Sequence, residues 1–268
     1  MPGRVEGKIA IVFGGGQTPG ETVGNGRATA IVLAREGAKV TVVDRELARA
    51  QETADEITKA GHGAVAAPCD ITDEAAVQGV IDAVLAREGR IDILHNNVGA
   101  SLALGDANAL DLTAEAFERS FKVNLEGMWF ACKHALLALR ESHGSIVNIA
   151  SMAAVEPYPY LGYKTTKAGV VALTENLAVF NAEYGVRANA ILPGLMNTPM
   201  AIENRIGMNG MTREQVVEMR DMRVPLGRKM GTGWDVANAA LFLHSDEASF
   251  ISGVSLLVDG AQAVSWGH

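Results

Sequence analysis

Residues 151–169 hold Ser151, Tyr158, Tyr160, Tyr163, Lys164 and Lys167 within one short stretch of a 268-residue chain. Two tyrosines each have a lysine four positions on, Tyr160 with Lys164 and Tyr163 with Lys167. On a helix, positions i and i+4 share a face, so phenol and ammonium look into the same space. A phenol titrates near pH ~10, and a neighbouring cation favours the phenolate and lowers that value. Such a group is a general acid or base usable near neutral pH. The apolar run Ser145 to Ala150 reads as a strand that delivers Ser151 beside the pair. The spacing alone leaves both tyrosines open, because a Tyr-x3-Lys pair also suits a solvated helix face.

The elements that must position these groups alternate along the chain. Apolar strands are expected at residues 8–13, 39–43, 64–68, 91–95, 145–150, 186–192 and 254–258. Helical segments separate them, at about 27–36, 46–60, 72–87 (capped by Thr72), 113–139, 161–184 and 234–244. Strand–helix alternation implies right-handed crossovers and a mostly parallel sheet. No repeat, linker or composition break divides the chain. The expected fold is α/β, a single doubly wound Rossmann-type domain spanning 1–268 with about seven strands. Ligands belong at the carboxyl ends of such strands.

A glycine-rich turn follows the first strand, with glycines at 14, 15, 16, 20, 24 and 26. Glycine lets backbone approach a pyrophosphate, and a helix beginning at Gly24-Asn25-Gly26 offers amides and a positive dipole end. Asp44 ends the second strand about 18 residues beyond Gly26, near the spacing of an acid that binds the adenosine ribose. A carboxylate there bonds a ribose diol and repels a 2′-phosphate. NAD is therefore expected in preference to NADP, although Arg45 next door works in the opposite direction.

Other classes are disfavoured. A net charge of -8 without a basic cluster argues against nucleic acid as partner. No apolar run approaches the ~18 residues of a membrane span, and residues 1–8 carry no apolar signal region, so a cytoplasmic protein is expected. Cys69 and Cys132 read as small buried residues rather than a disulfide framework. The six histidines, at 62, 95, 134, 143, 244 and 268, show no metal-ligand spacing, so no metal is expected.

With these residues in view, the sequence resembles the short-chain dehydrogenase/reductase family over nearly its whole length. Asn96-Asn97-Val98-Gly99 is similar to the family's Asn-Asn-Ala-Gly after strand four. Asn124 matches its helix asparagine, Ser151 its serine, and Tyr163 to Lys167, followed by Ala168-Gly169, its Tyr-x3-Lys. Pro193-Gly194-Leu195-Met196-Asn197-Thr198 resembles its Pro-Gly turn, and Ile251-Ser252-Gly253 and Val258-Asp259-Gly260 its ending. The resemblance favours Tyr163, 12 residues after Ser151, over Tyr160, which is only 9 after it. One departure stands out. Phe13 replaces the family's threonine, and nine residues separate Gly14 from Gly24 where the family has three. Glu21 in this insertion is expected to bring negative charge near the pyrophosphate. The loop then either bulges over the adenosine half or changes the grip on cofactor.

The resemblance implies an NAD-dependent interconversion of secondary alcohol and ketone. Tyr163 would be the proton acceptor, Lys167 would lower its pKa and hold the nicotinamide ribose, Ser151 would bond the substrate oxygen, and Asn124 would hold a water. Cofactor contacts are implied for Gly14, Gly24, Asn25, Gly26, Asp44, Asp70, Ile71, Asn97, Gly99, Tyr163, Lys167, Pro193, Gly194 and Thr198. For Asp70 a helix-start role competes. Tyr158, Tyr160, Met196 and Met200 are candidates to touch substrate. The methionine-rich segment 195–231 corresponds to a substrate lid, and an adaptable apolar lid fits an apolar or aromatic small molecule. An NADP-dependent carbonyl reductase, and a nucleotide-binding scaffold without catalysis, are the alternatives. The family's usual state implies a homo-oligomer, a tetramer pairing helices 113–139 and 161–184.

Overall fold

The computed structural model describes residues 2–265. Met1 and residues 266–268, including His268, lie outside them. Seven strands form one sheet: β1 (Ile9–Phe13), β2 (Lys39–Asp44), β3 (Ala64–Pro68), β4 (Ile93–Asn96), β5 (Ser145–Ile149), β6 (Arg187–Pro193) and β7 (Ser255–Val258). Every neighbouring pair is parallel, in the order β3-β2-β1-β4-β5-β6-β7. The order reverses between β1 and β4, which opens a crevice at their carboxyl ends. Phe13 pairs with Val43 on one side and Asn96 on the other, so the ends of β1, β2 and β4 lie level.

The sheet is covered on both faces, as its unbroken apolar strands require. Alternate residues of β1 serve the two layers. Ile9, Ile11 and Phe13 pack with α3 (Glu74–Glu88) and α5 (Gly127–Ser142). Ala10 and Val12 pack with α1 (Asn25–Arg35), α2 (Leu47–Lys59) and α9 (Gly233–His244). Truncating a fully buried residue such as Ile11 to alanine costs about 2–5 kcal/mol. α4 (Ala114–Phe121) and α6 (Leu161–Asn181) complete the face that carries α3 and α5. The segment 195–231 folds over the carboxyl edge as α7 (Pro199–Ile202), α8 (Arg213–Asp221) and single 3-10 turns. Ile202, Val216, Val224 and Met230 form a small core of its own.

Three local expectations change. Asp73, not Thr72, caps α3, its carboxylate accepting from the amides of Ala75 and Ala76. The expected helix 113–139 is divided by a π-helical stretch, Lys122–Glu126, between α4 and α5. π-bulges often mark functional positions, and Asn124 sits in this one. β4 begins at Ile93 rather than 91, because the Asp92 carboxylate takes the Ile9 amide at 2.9 Å. Both cysteines are buried and free. Burial pushes the Cys132 thiol up to about 12 and the Cys69 thiol up to about 11. Among the described residues, no helix is long and apolar enough to cross a membrane.

Candidate active site

A cleft of about 740 Å³ runs along the carboxyl edge of the sheet, from Asp44 at one end to the 195–223 segment at the other. The glycine turn forms part of its floor. Gly14 has φ +77°, a conformation that strains any residue with a side chain. A Cβ on Gly26 would overlap the Gly14 carbonyl, so only hydrogen lets the first turn of α1 lie against the end of β1. Asn97 donates to that same carbonyl at 3.1 Å and ties the loop after β4 to the turn. Gly24 precedes α1 in an extended conformation with no side-chain cap, and no acid stands in the first turn. The first turn of α1 therefore keeps its positive end open to an anion, although the Gly24 amide itself is taken by Gln17. A cradle that a Cβ would fill, beside an uncapped helix start, fits a dinucleotide pyrophosphate.

The inserted loop is ordered by Gln17, whose Oε1 accepts from the Gly24 amide (2.9 Å) while its Nε2 donates to the Thr22 carbonyl (3.2 Å). It does not carry Glu21 toward the pyrophosphate position. Glu21 is absent from the cleft lining and reaches Arg213 of α8 at 3.1 Å. Gly20 lies against Pro199, where a Cβ would come within 2.9 Å of the proline Cβ. The expected negative charge is thus drawn away by an arginine, and the insertion leans on the 199–213 segment rather than over the adenosine half.

At the β2 end, Asp44 lines the cleft with Arg45 and Arg49. Its Oδ1 accepts from the Glu46 amide at 3.0 Å, while burial raises its pKa and the two arginines pull it back. Asp70 and Ile71 line the wall beyond β3. Asp70 also accepts from the amide and hydroxyl of Thr72, at 2.9 and 2.8 Å, so it does organise the turn before α3.

Ser151, Tyr163 and Lys167 meet at the middle of the cleft. Lys167 is 1% exposed, and its Nζ donates to the carbonyl of Ile149 at 2.7 Å and stands 5.7 Å from the centre of the Tyr163 ring. A Cβ at Gly99 would come within 2.8 Å of that Nζ, so glycine there makes room for the ammonium. Burial lowers the Lys167 pKa to about 7. Burial, then Tyr158, push the Tyr163 phenol up to about 12, with Ser151 partly opposing through a hydrogen bond. The expected lowering of the tyrosine by the lysine is therefore not met in this structure. Both groups are desolvated together, and each is held toward its neutral form. Ser151 Oγ also accepts from the Ala153 amide at 3.2 Å. Asn124 bonds both backbone groups of Ala100, accepting from its amide at 2.8 Å and donating to its carbonyl at 2.9 Å.

The rival pair comes apart. Lys164 donates to the carbonyls of Ala153 (3.1 Å) and Glu156 (2.6 Å), tying down the loop after β5. Tyr160 precedes α6 in an extended conformation. Tyr158 and Tyr160 both line the cleft, with Tyr158 5.7 Å from Tyr163 between ring centres. Pro193, Gly194 and Thr198 line it from the β6 side, Thr198 heading α7. Met200 lines it while 43% exposed. Met196 also lines it but belongs mainly to the core, where it packs with β5, β6 and α9.

Several residues escaped the sequence reading. Asp106 is buried and accepts from the amides of Gly162 and Tyr163, each at 2.8 Å, so a loop 57 residues away caps the tyrosine helix. The only sequence signal was the lack of a capping residue at Tyr160. Gln17, Arg205, Arg220 and Arg223 belong to no spacing pattern in the sequence, although Gln17 and Arg205 bond near neighbours in the chain.

Proteins built this way bind a dinucleotide across the switch point of the sheet and react substrate at the carboxyl edge. The family described as enoyl-(acyl carrier protein) reductase matches residues 21–261, beginning inside the inserted loop. The 4-formylbenzenesulfonate dehydrogenase of Comamonas testosteroni is 38% identical, over 96% of this chain and 98% of that protein. The (2S)-[(R)-hydroxy(phenyl)methyl]succinyl-CoA dehydrogenase subunit of Thauera aromatica is 34% identical, over 97% and 98%. A crystal structure of levodione reductase superposes with a TM-score of 0.89 at 30% identity, covering 97% of this chain and 99% of that one. The chain belongs to the short-chain dehydrogenase/reductase family.

Proposed function

We propose that the protein interconverts a secondary alcohol and a ketone on a small aromatic or otherwise largely apolar molecule, with NAD as hydride carrier. What carries the reading is the convergence of Ser151, Tyr163 and Lys167 in the cleft beside a glycine cradle shaped for pyrophosphate. When bound, the nicotinamide supplies the hydride acceptor or donor and, oxidised, a positive ring charge. Gly14, Gly24, Asn25, Gly26, Asn97 and Gly99 would hold the dinucleotide, with Asp44, Asp70 and Ile71 at its adenosine end and Pro193, Gly194 and Thr198 near the nicotinamide.

The chain's own groups then have distinct tasks. Ser151 donates its hydroxyl hydrogen to the substrate oxygen and holds it at Tyr163. Tyr163 Oη takes the alcohol proton in oxidation and returns it in reduction. Lys167, kept in place by the Ile149 carbonyl, supports the phenolate when it carries a proton. Asn124 fixes Ala100, and with it the loop that closes over Lys167. Positioned acid–base transfer of this kind contributes about 10²- to 10⁴-fold. Residues 195–231 act as the lid. The Thauera relative's name contains a hydroxy(phenyl)methyl group and the Comamonas relative's a formylbenzene, which fits an aromatic substrate.

Tyr163→Phe tests the assignment. Turnover should fall by about 10²- to 10⁴-fold while NADH still binds with unchanged fluorescence enhancement. A variant near the wild-type rate would overturn the role. A second reading, NADP-linked carbonyl reduction, draws on Arg45 and Arg49 beside Asp44. As a proposal on assembly, the exposed Phe121 and Trp129 at one helix pair and Val179 and Phe180 on α6 support a homotetramer of this chain.

A further inference from the structure

Beyond the tyrosines, the lid end of the cleft is lined by Asn204, Arg205, Met219, Arg220 and Arg223. Arg220 is only 7% exposed, yet its Nε is buried without a hydrogen-bond partner. Leaving a buried charged donor unpaired is costly, and proteins place such groups where a ligand completes them. Arg205 is held by one bond, from Nη1 to the Ala201 carbonyl at 2.7 Å. The neighbouring acids are already engaged. Glu203 faces Arg213 at 3.5 Å, and Asp221 accepts from the Met230 amide at 2.8 Å. No salt bridge to any of these three arginines occurs among the described residues. Burial, then repulsion from Arg205 and Arg223, lowers the Arg220 pKa to about 10, with Tyr158 and Asp221 partly opposing. Arg205 and Arg220 also act on the Tyr158 phenol, so the cluster stands beside the ring that touches Tyr163.

We infer that Arg220 and Arg205, with Arg223 at the rim, form an oxyanion subsite for a carboxylate or sulfonate carried by the substrate. The inference rests on the alcohol–ketone reading of the same cleft and narrows its substrate class. Guanidinium forks match planar carboxylates and tetrahedral sulfonates. An aromatic ring between Tyr158, Tyr160 and Met219 would then join the reacting carbon at Tyr163 to an anion at Arg220. The apolar substrate expected from the methionines thus becomes amphiphilic.

Calorimetric titration of the whole protein with benzoate, benzenesulfonate and the uncharged benzamide tests the subsite without turnover. At least one anion should bind about 10- to 100-fold more tightly than benzamide, and Arg220→Met should remove the difference. Arg220→Lys should keep part of it. Arg223→Gln, at an exposed position, should weaken it several-fold with no effect on folding, which guards against a misfolded Arg220 variant. Equal binding of anions and amide, or an anion preference that survives in both Arg220→Met and Arg223→Gln, would overturn the subsite. Turnover of 4-(1-hydroxyethyl)benzoate against 1-phenylethanol with NAD separates the two readings. Preference for the benzoate supports both. Tight anion binding with neither alcohol oxidised leaves the subsite standing and counts against the alcohol chemistry.

Discussion

Glu21 of the inserted loop and Arg213 at the start of α8 pair at 3.1 Å, which joins the cofactor turn to the segment over the substrate end. Arg213 also holds Glu203 at 3.5 Å, so one guanidinium gathers both. Glu21 is largely exposed, and such a pair contributes little to global stability, about 0–1 kcal/mol. Its effect is expected on closure. Glu21→Gln should leave the melting temperature within about 2 °C and raise KM for cofactor and alcohol together by about two- to five-fold. High salt should produce the same change in the wild type and none in the variant. A rise in one KM alone would show that the two sites are not coupled through this contact.

Asp106 caps α6 from a distant loop and also accepts from the Ser101 hydroxyl at 3.0 Å. Asp106→Ala removes acceptors for one buried and one part-buried amide at the turn that carries Tyr163. The expected loss is about 1–2 kcal/mol in chemical denaturation. A fall in kcat with little change in cofactor affinity should accompany it, measured by initial rates and NADH titration.

Lys167 predicts a pH dependence of stability. Its folded pKa is depressed to about 7 from 10.5. Between those values the unfolded chain holds a proton that the folded protein does not, so stability from this group rises with pH across that window. The deficit is full at and below pH ~7 and gone near pH ~10.5. Lys167→Met should therefore stabilise the cofactor-free protein at pH ~7 by an amount on the order of a few kcal/mol, and the gain should vanish toward pH ~10.5. Denaturation midpoints across this range check it. A gain independent of pH would refer the effect to packing instead. In parallel, Tyr163, pushed up to about 12, should make alcohol oxidation faster as pH rises and leave ketone reduction flat through neutrality.

On the proposed NAD reading, Asp44 accepts from the adenosine ribose diol. Asp44→Ser removes the acceptor for the ribose diol and leaves Arg45 and Arg49 in place. NAD affinity should fall about 10-fold or more while NADP affinity rises, measured by titration of both reduced nucleotides. An unchanged ratio would show that the arginines already decide the preference.

A mostly parallel seven-stranded sheet with its ligand site at the carboxyl ends was legible in the sequence because buried parallel strands must be apolar throughout and glycine is compulsory where backbones touch, as at Gly14 and Gly26; the strand order came from the structure. Ser151 and the Tyr163–Lys167 pair were legible for a related reason. Their relation is local, one helix turn and one short loop, so spacing along the chain is also spacing in space. Choosing Tyr163 over Tyr160 needed the resemblance, and the structure adds the physical reason: Lys164 is spent on the backbone of Ala153 and Glu156.

What only the tertiary structure decided depends on contacts between segments far apart in sequence. Glu21 looked like a charge at the pyrophosphate until α8 brought Arg213 to it. Asp106 looked like an ordinary loop acid until it met the start of α6. Arg205 and Arg220 stand fifteen residues apart in a segment that reads as an apolar lid, and only its folding turns them into the same cleft. The sequence by itself determined the fold class and the spacing of the tyrosine–lysine pairs after Ser151, because local spacing and strand burial are written residue by residue. The charge environment of the substrate end is a property of packing, since fields and desolvation depend on what distant chain is folded against each group.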